Sequence, residues 1–520
     1  ALGWIALFPS ENIWPHLAST VLPRYLATTA ELMFGNGVSV LVIGTGTAWL
    51  VTMCRFPGRR FFEWALLLPL AMPAYIVAFV YTDLLEYAGP VQASLRNLFG
   101  WQSPRDYWFP EIRTLGGAVF VMSFVLYPYV YLLGRTAFQE QSACTLEASR
   151  TLGCGPVRTF FAVALPLARP ALAVGVALAL METLADFGTV DYFAVYTLTL
   201  GVFNVWLNMG NPGGAAQIAL VMLGAIVLLI GLERASRRRQ RHFATTTRTR
   251  PHPGYTLSGW RALGATVACL VPVAVGFAIP AGILLDYAIR YFAESWNGAF
   301  LQHAANSIAL SASAAITAVA VALFNCYGRR VAGGLPLTAA SRLAGTGYAV
   351  PGTVLAIGVI VPLAAFDNGV DALMREWFGV STGLILSGTV FAVIFAYVVR
   401  FLAVALGAVE ASLGRVRPTM DMAARSLGAT PSRILRRVHL PLIRGSMLAA
   451  ATIVFVDCMK ELPATLILRP FNFDTLATQV YQSASTEQLE FSGLAALTIV
   501  AAGIVPVILL SRAVGRSQHR

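Results

Sequence analysis

LEASRTLGCGP at 146–156 and MAARSLGATP at 422–431 are two copies of one pattern, and their reading decides the fold. At an offset of 275 residues, Ala148, Arg150, Leu152, Gly153 and Pro156 fall on Ala423, Arg425, Leu427, Gly428 and Pro431. The same offset carries Leu165-Pro166 onto Leu440-Pro441, Glu182 onto Asp457 and Asp186 onto Glu461. Nearer the start of each copy, Asn36 pairs with Asn306 and Gly58-Arg59-Arg60 with Gly328-Arg329-Arg330 at an offset of 270, and Pro73 with Pro351 at 278. Small loop insertions account for the drift, and the chain reads as an internal duplication. In each copy a short run of good helix formers stops at a glycine, and the following proline suits the first turn of a second helix. The pattern predicts a helix–Gly–helix elbow, a compact knob that a partner could grip or that could lie on a lipid surface.

Outward from the elbows, the chain is 520 residues long, 57% hydrophobic and only 12% charged, with a mean hydropathy of +0.68. Soluble domains carry about 25% charged residues, so this chain cannot cover a globular surface with charge and belongs in a bilayer. A cytosolic enzyme, a disulfide scaffold and a disordered protein are excluded. Apolar runs long enough to cross a hydrocarbon core of about 30 Å fall at 36–54, 61–82, 114–134, 169–190, 213–232, 261–285, 303–325, 342–365, 380–400, 445–468 and 492–511. Placing Arg55, Arg59 and Arg60 inside and alternating from there leaves seven of the 37 basic residues outside, which fixes the orientation by the positive-inside rule. The net charge of +12 therefore reports cytoplasmic loops and not nucleic acid.

The chain starts at Ala1, and ALGWIALF at 1–8 reads as the tail of a helix that lies upstream; a cleaved signal peptide is the competing explanation. With that helix counted there are about twelve spans, the first truncated here, and both termini are cytoplasmic. Corresponding spans are six apart, so the halves run parallel, about a pseudo-twofold axis along the membrane normal. The fold class expected is an all-α polytopic membrane protein of two fused six-helix halves. Residues 1–232 form the first half with its coupling loop at 135–168, and 261–520 form the second with its loop at 400–444. A basic linker at 233–260, with seven arginines from Arg234 to Arg250, joins them.

No Walker A loop, HExxH or GxSxG is present, and the single lysine, Lys460, sits in DCMKE at 457–461. The chain is thus not expected to be an enzyme or to bind a cofactor. Cys54, Cys144, Cys154, Cys269, Cys326 and Cys458 form no CxxC pair, and neither a disulfide nor a zinc site is expected.

At residues 147–166 and 422–441 the pattern resembles the EAA motif of ABC importer membrane subunits. Over helices three to six of each half the chain is similar to the fused permeases of ferric iron importers, most visibly in METLADFGTVDYF at 181–193 and MKELPATLILRPFNFDTLAT at 459–478. The resemblance implies an ABC importer type I permease fold in the bacterial inner membrane and alternating access driven elsewhere. Two copies of a cytosolic ABC ATPase would hold ATP and Mg, and a periplasmic binding protein would deliver ferric iron. Each elbow would then be a coupling helix, with Glu147, Ala148 and Gly153 in one half and Ala423, Ala424 and Gly428 in the other as contacts. In the second copy Met422 replaces the glutamate, and Asp421, one residue earlier, would supply the acidic coupling contact in a shifted position.

Ionisable groups within spans cost at least about 2.5–3.5 kcal/mol each and normally face a bundle interior. Glu182 and Asp186 stand at i, i+4 on one helix face, and Asp457 and Glu461 repeat them. All four are expected to line one translocation path in the outer half of the membrane, making transient contact with iron but binding no metal tightly. The alternative is that Lys460 neutralises Asp457 and the other acids sit at solvated helix ends. Tyr127, Tyr129 and Tyr131 read as interfacial anchors. Asp83, Glu86, Asp106, Glu111, Asp474, Glu487 and Glu490 in the outer loops are candidates for contact with the binding protein. Thiamine, polyamines and oxyanions remain alternative substrates, and an ion-gradient-driven carrier is the alternative of another class.

Overall fold

A computed structural model describes residues 2–9, 11–238 and 254–517. Among them ten helices are long and apolar enough to cross a membrane, or eleven when the bent pair Arg59–Ala71 and Ala74–Phe99 is one span. They fall on the eleven apolar runs read from the sequence. Most of the basic linker, residues 239–253, lies outside the described residues. Where the chain is described again, Tyr255–Thr256 pairs in parallel with Cys54–Arg55, which ties the start of the second half to the first.

Each half is built on three closely packed helices: Leu22–Met53, Leu115–Glu140 and Leu165–Ala185 in the first, Gly298–Ala332, Val390–Gly414 and Leu440–Met459 in the second. Between helices in lipid, association depends on close packing rather than on expulsion of water, so small residues set the contacts. A Cβ on Gly44 would stand 2.6 Å from Val130 Cβ, and one on Gly175 would stand 2.8 Å from Val130 Cα. In the second half Ala314, Ala318, Ala322 and Ala396 are buried at the corresponding seam. A buried polar knot adds specificity: Asn36 donates to Thr183 Oγ1 at 2.5 Å and accepts from Ser123 at 3.1 Å.

Four of the expected spans are interrupted, two in each half. Proline removes an N–H and pushes the residue before it into extended conformation. Met72 and Val350 are accordingly extended, and new helices start after Pro73 (Ala74–Leu85) and Pro351 (Gly352–Phe378). The second pair of breaks falls at the acids. Leu165–Ala185 ends at Asp186, whose ψ of 130° is extended, and Gly188–Tyr192 follows; Leu440–Met459 ends at Lys460, and Pro463–Leu468 follows. The breaks meet at the centre, where a Cβ on Gly188 would approach Tyr75 Cβ to 2.6 Å and Leu462 Cδ2 to 3.0 Å.

One boundary differs enough to matter. The span expected at 380–400, with its loop starting at 400, is a helix from Val390 to Gly414. The apolar residues after Gly379 are held instead in a loop, because the Asp367 carboxylate accepts from the Leu386 and Ser387 amides and the Ser387 hydroxyl. The register therefore shifts, and Arg400 moves from the expected cytoplasmic edge to the middle of a membrane helix.

Candidate functional site: a charged central cavity and two elbows

The broken helices of both halves surround a cavity of about 110 Å³. Glu182, Asp186, Asp457 and Glu461 all line it, together with Arg400, Lys460, Tyr75, Tyr129 and Tyr348. The expected shared helix face is not how the acids get there. Only Glu182 and Asp457 lie on the long helices, while Asp186 and Glu461 lie in the breaks that follow. There each serves as a cap: Asp186 accepts from the Thr189 amide at 2.9 Å and its hydroxyl at 3.1 Å, and Glu461 accepts from the Ala464 amide at 3.0 Å. Arg400 and Tyr129, near the middles of Val390–Gly414 and Leu115–Glu140, meet the acids in this cavity.

The partners of the four acids differ between halves. Arg400 Nη1 donates to both oxygens of Glu461 at 2.9 Å, in a pair whose side chains are only 8% and 6% exposed. Lys460 Nζ stands 2.8 Å from Asp457. Glu182 accepts a hydrogen bond from Tyr348 Oη at 2.9 Å, and no cation is within ion-pair distance of Glu182 or Asp186 among the described residues. Both the path-lining reading and the neutralised reading of Asp457 are thus present in one site. Formally the lining carries four carboxylates and two cations.

Arg400 and Tyr348 were not candidates from the sequence. The one legible signal was a lone arginine within YVVRFLAVAL at 397–406. Tyr127 and Tyr131 are fully buried and Tyr129 faces the cavity, so none of the three is the interfacial anchor expected; Tyr131 donates to the Glu63 carbonyl at 3.0 Å. Among the described residues no His, Cys, Asp and Glu group could hold a resident metal ion, and Cys54, Cys154, Cys269, Cys326 and Cys458 are free thiols.

The elbows are formed by Ala143–Thr151 followed by Pro156–Thr159, and by Pro418–Ser426 followed by Pro431–Ile434. Gly153 and Gly428 stand between them at φ of +79° and +76°. Only glycine takes this conformation without cost. The Cys154 amide closes back on the Ser149 carbonyl and the Ala429 amide on that of Ala424, each at 3.0 Å, the bond that ends a Schellman turn. Glu147, Ala148 and Ala423 are exposed beside Leu152 and Leu427, which are more than 80% exposed; Ala424 is half-buried. Asp421 instead turns inward, 2.7 Å from Arg330 Nε and 2.8 Å from His439 Nε2. Beyond each elbow a π-helical turn, Phe160–Ala164 or Leu435–His439, leads into the acid-bearing helix.

Most outer acids are also engaged within the chain. Asp83 accepts from Tyr287, Glu86 pairs with Arg113 at 2.5 Å, and Asp474 pairs with Arg469. The Ser103 and Gln102 amides bind the Asp106 carboxylate and hold it below the ordinary carboxylate range.

Two like halves, broken helices around a charged cavity and a matched elbow on each half define the membrane subunit of a transporter. The chain matches the family of binding-protein-dependent transport system inner membrane components over residues 26–242 and 327–520, and it belongs to that family. It is a multi-pass protein of the inner membrane. It is 26% identical over 497 residues to the Fe(3+)-transport system permease protein FbpB 2 of Haemophilus influenzae, covering 94% of this chain and 90% of that one. It is 25% identical over 547 residues to the probable ABC transporter permease protein y4fN of Sinorhizobium fredii, covering 98% of this chain and 90% of that one. The molybdenum transport system permease protein ModB of Escherichia coli is 29% identical over 209 residues, or 38% of this chain and 88% of that one.

Proposed function

We propose that this chain is the permease of an ABC importer that carries ferric iron from a periplasmic binding protein to the cytoplasm. The observation that carries this reading is the convergence of Glu182, Asp186, Asp457 and Glu461 on one cavity between the two halves. Carboxylate oxygens are hard ligands suited to a hard trivalent cation, and an excess of negative charge in a low-dielectric cavity raises the local concentration of cations. Contact is transient, since a path must release what it accepts. Similarity along nearly the whole chain to an Fe(3+) permease supports the same choice.

Energy would come from two copies of a separate ATPase subunit, which hold ATP and Mg, docked on the elbows. Glu147, Ala148, Gly153, Ala423, Ala424 and Gly428 would form the docking surfaces, both on the cytoplasmic side with the termini. Asp421 would act from within, seating the second elbow through Arg330 and His439.

Arg400 and Lys460 favour a second reading, an oxyanion as substrate, for which the molybdenum relative is the precedent. Against it, each of these cations is already held by a carboxylate. Uptake of labelled ferric iron, molybdate and thiamine in a strain lacking this chain, with and without complementation, separates the readings. Restored iron uptake alone is expected; restored molybdate or thiamine uptake without iron overturns the assignment.

A further inference from the structure

The cavity's charges are divided between the halves in a way that transport of a cation does not by itself require. Both cations belong to the second half, and both sit on second-half carboxylates, whereas the first-half pair Glu182 and Asp186 meets hydroxyl and amide donors. Among the described residues the cavity therefore has one wall whose carboxylates meet only neutral donors and one wall whose carboxylates are paired with tethered cations.

The Arg400–Glu461 contact is not built as a permanent structural pair. A guanidinium that locks a carboxylate does so with two nitrogens on two oxygens. Here the single Nη1 serves both oxygens, and Nε is buried without a partner. The pair also depends on space kept open by Gly352, where a Cβ would stand 2.5 Å from Glu461 Oε1 and 2.6 Å from Arg400 Nη1. The pair therefore leaves guanidinium hydrogen-bonding capacity unused that a bidentate lock would engage, and a multivalent cation that binds the carboxylate can compete for it.

We propose that Arg400 is a tethered counter-ion that determines how firmly the path holds its cargo. It occupies Glu461 while the path is empty, cedes that carboxylate when a multivalent cation enters against Glu182 and Asp186, and returns to displace the cation onward. This inference rests on the cation reading above. Its consequence is that removing the guanidinium tightens binding and slows release. For a full charge at about 5 Å and an effective dielectric constant of about 20, the change in affinity is at least tenfold.

The test uses the complex assembled with its ATPase. Binding of Tb³⁺ is followed by luminescence, and uptake of labelled ferric iron gives KM and kcat. Arg400→Gln is expected to bind Tb³⁺ at least tenfold more tightly, with KM and kcat falling together; a merely structural residue would lower kcat without tightening binding. Arg400→Lys is expected to shift both in the same direction by a smaller factor, and it decides the matter if Arg400→Gln does not assemble. The double variant Arg400→Gln/Glu461→Gln is expected to return to within a few-fold of the wild-type affinity. Unchanged or weaker Tb³⁺ binding in Arg400→Gln, or in Arg400→Lys where it stands in, overturns the counter-ion while wild-type iron uptake keeps the cation reading. A wild-type complex that imports molybdate and binds no Tb³⁺ overturns both.

Discussion

The two elbows have the same backbone and different anchors. In the first half Leu146 and Ala164 close the seat with apolar contact, 4% and 0% exposed. At the matching positions of the second half stand Asp421 and His439, joined to each other and to Arg330, whose guanidinium also donates to the Leu413 and Val416 carbonyls at 2.6 and 2.8 Å. The cavity repeats the lesson: matching breaks carry matching acids, yet only the second half supplies cations. A duplicated backbone fixes where a side chain stands, and divergence then chooses its chemistry. What both halves share is the geometry, namely Gly153 and Gly428, Pro73 and Pro351, and a carboxylate, Asp or Glu, at each of the four acid positions.

The comparison breaks most severely at the glycines. Replacing Gly153 or Gly428 by valine forces a β-branched residue to positive φ, with a left-handed cost of about 1–2 kcal/mol or more, and bends the elbow away from its partner. Transport and substrate-stimulated ATP hydrolysis are expected to vanish in both variants while membrane insertion persists; unchanged hydrolysis in both would sink the coupling role. Next come the acids, which sharpen the difference between halves. Glu182→Gln with Asp186→Asn is expected to lower iron uptake about a hundredfold, the rate equivalent of roughly 2.7 kcal/mol, and Asp457→Asn with Glu461→Gln distinctly less, because those two are already neutralised. Equal losses in the labelled uptake assay would remove the functional asymmetry.

Gly352→Ala places a methyl group against the Arg400–Glu461 pair and is expected to reduce uptake about tenfold, or roughly 1.4 kcal/mol. Ala74, the residue after Pro73, already carries that methyl group in the first half. The seats are read in stability and not in transport. Asp421→Ala strands buried polar partners and is expected to cost about 3–5 kcal/mol of stability. The graft Asp421→Leu/His439→Ala, which rebuilds the first-half seat, is expected to stay within about 1 kcal/mol of wild type, as exchanges of a buried ionic group for packed apolar ones often do. Thermal melts of the purified protein compare them; a graft as unstable as Asp421→Ala would show that the two seats are not interchangeable.

Much of this molecule could be read from its chain, for local reasons. Lipid demands long apolar helices, so composition and run length marked every described span, and a duplication betrays itself by spacing alone. The elbows were legible because a glycine followed by a proline punctuates a helix whatever surrounds it. The four acids stood out because charge within an apolar run is costly enough to be rare.

What the tertiary structure alone decided concerns register and partnership. Whether Arg400 ended a span or sat inside one depended on the Asp367 carboxylate gathering the loop before Val390, a contact across 20 residues that no local pattern reports. Whether Asp186 shared a helix face with Glu182 depended on a break stabilised by the helix it caps. That Tyr348 reaches Glu182 from the other half, and that Asp421 turns inward to Arg330 and His439, follow from how separate helices pack. Hydrophobicity and turn chemistry act between neighbours in the chain and are written in it. Charge pairing in a cavity acts between neighbours in space, and only the folded protein names them.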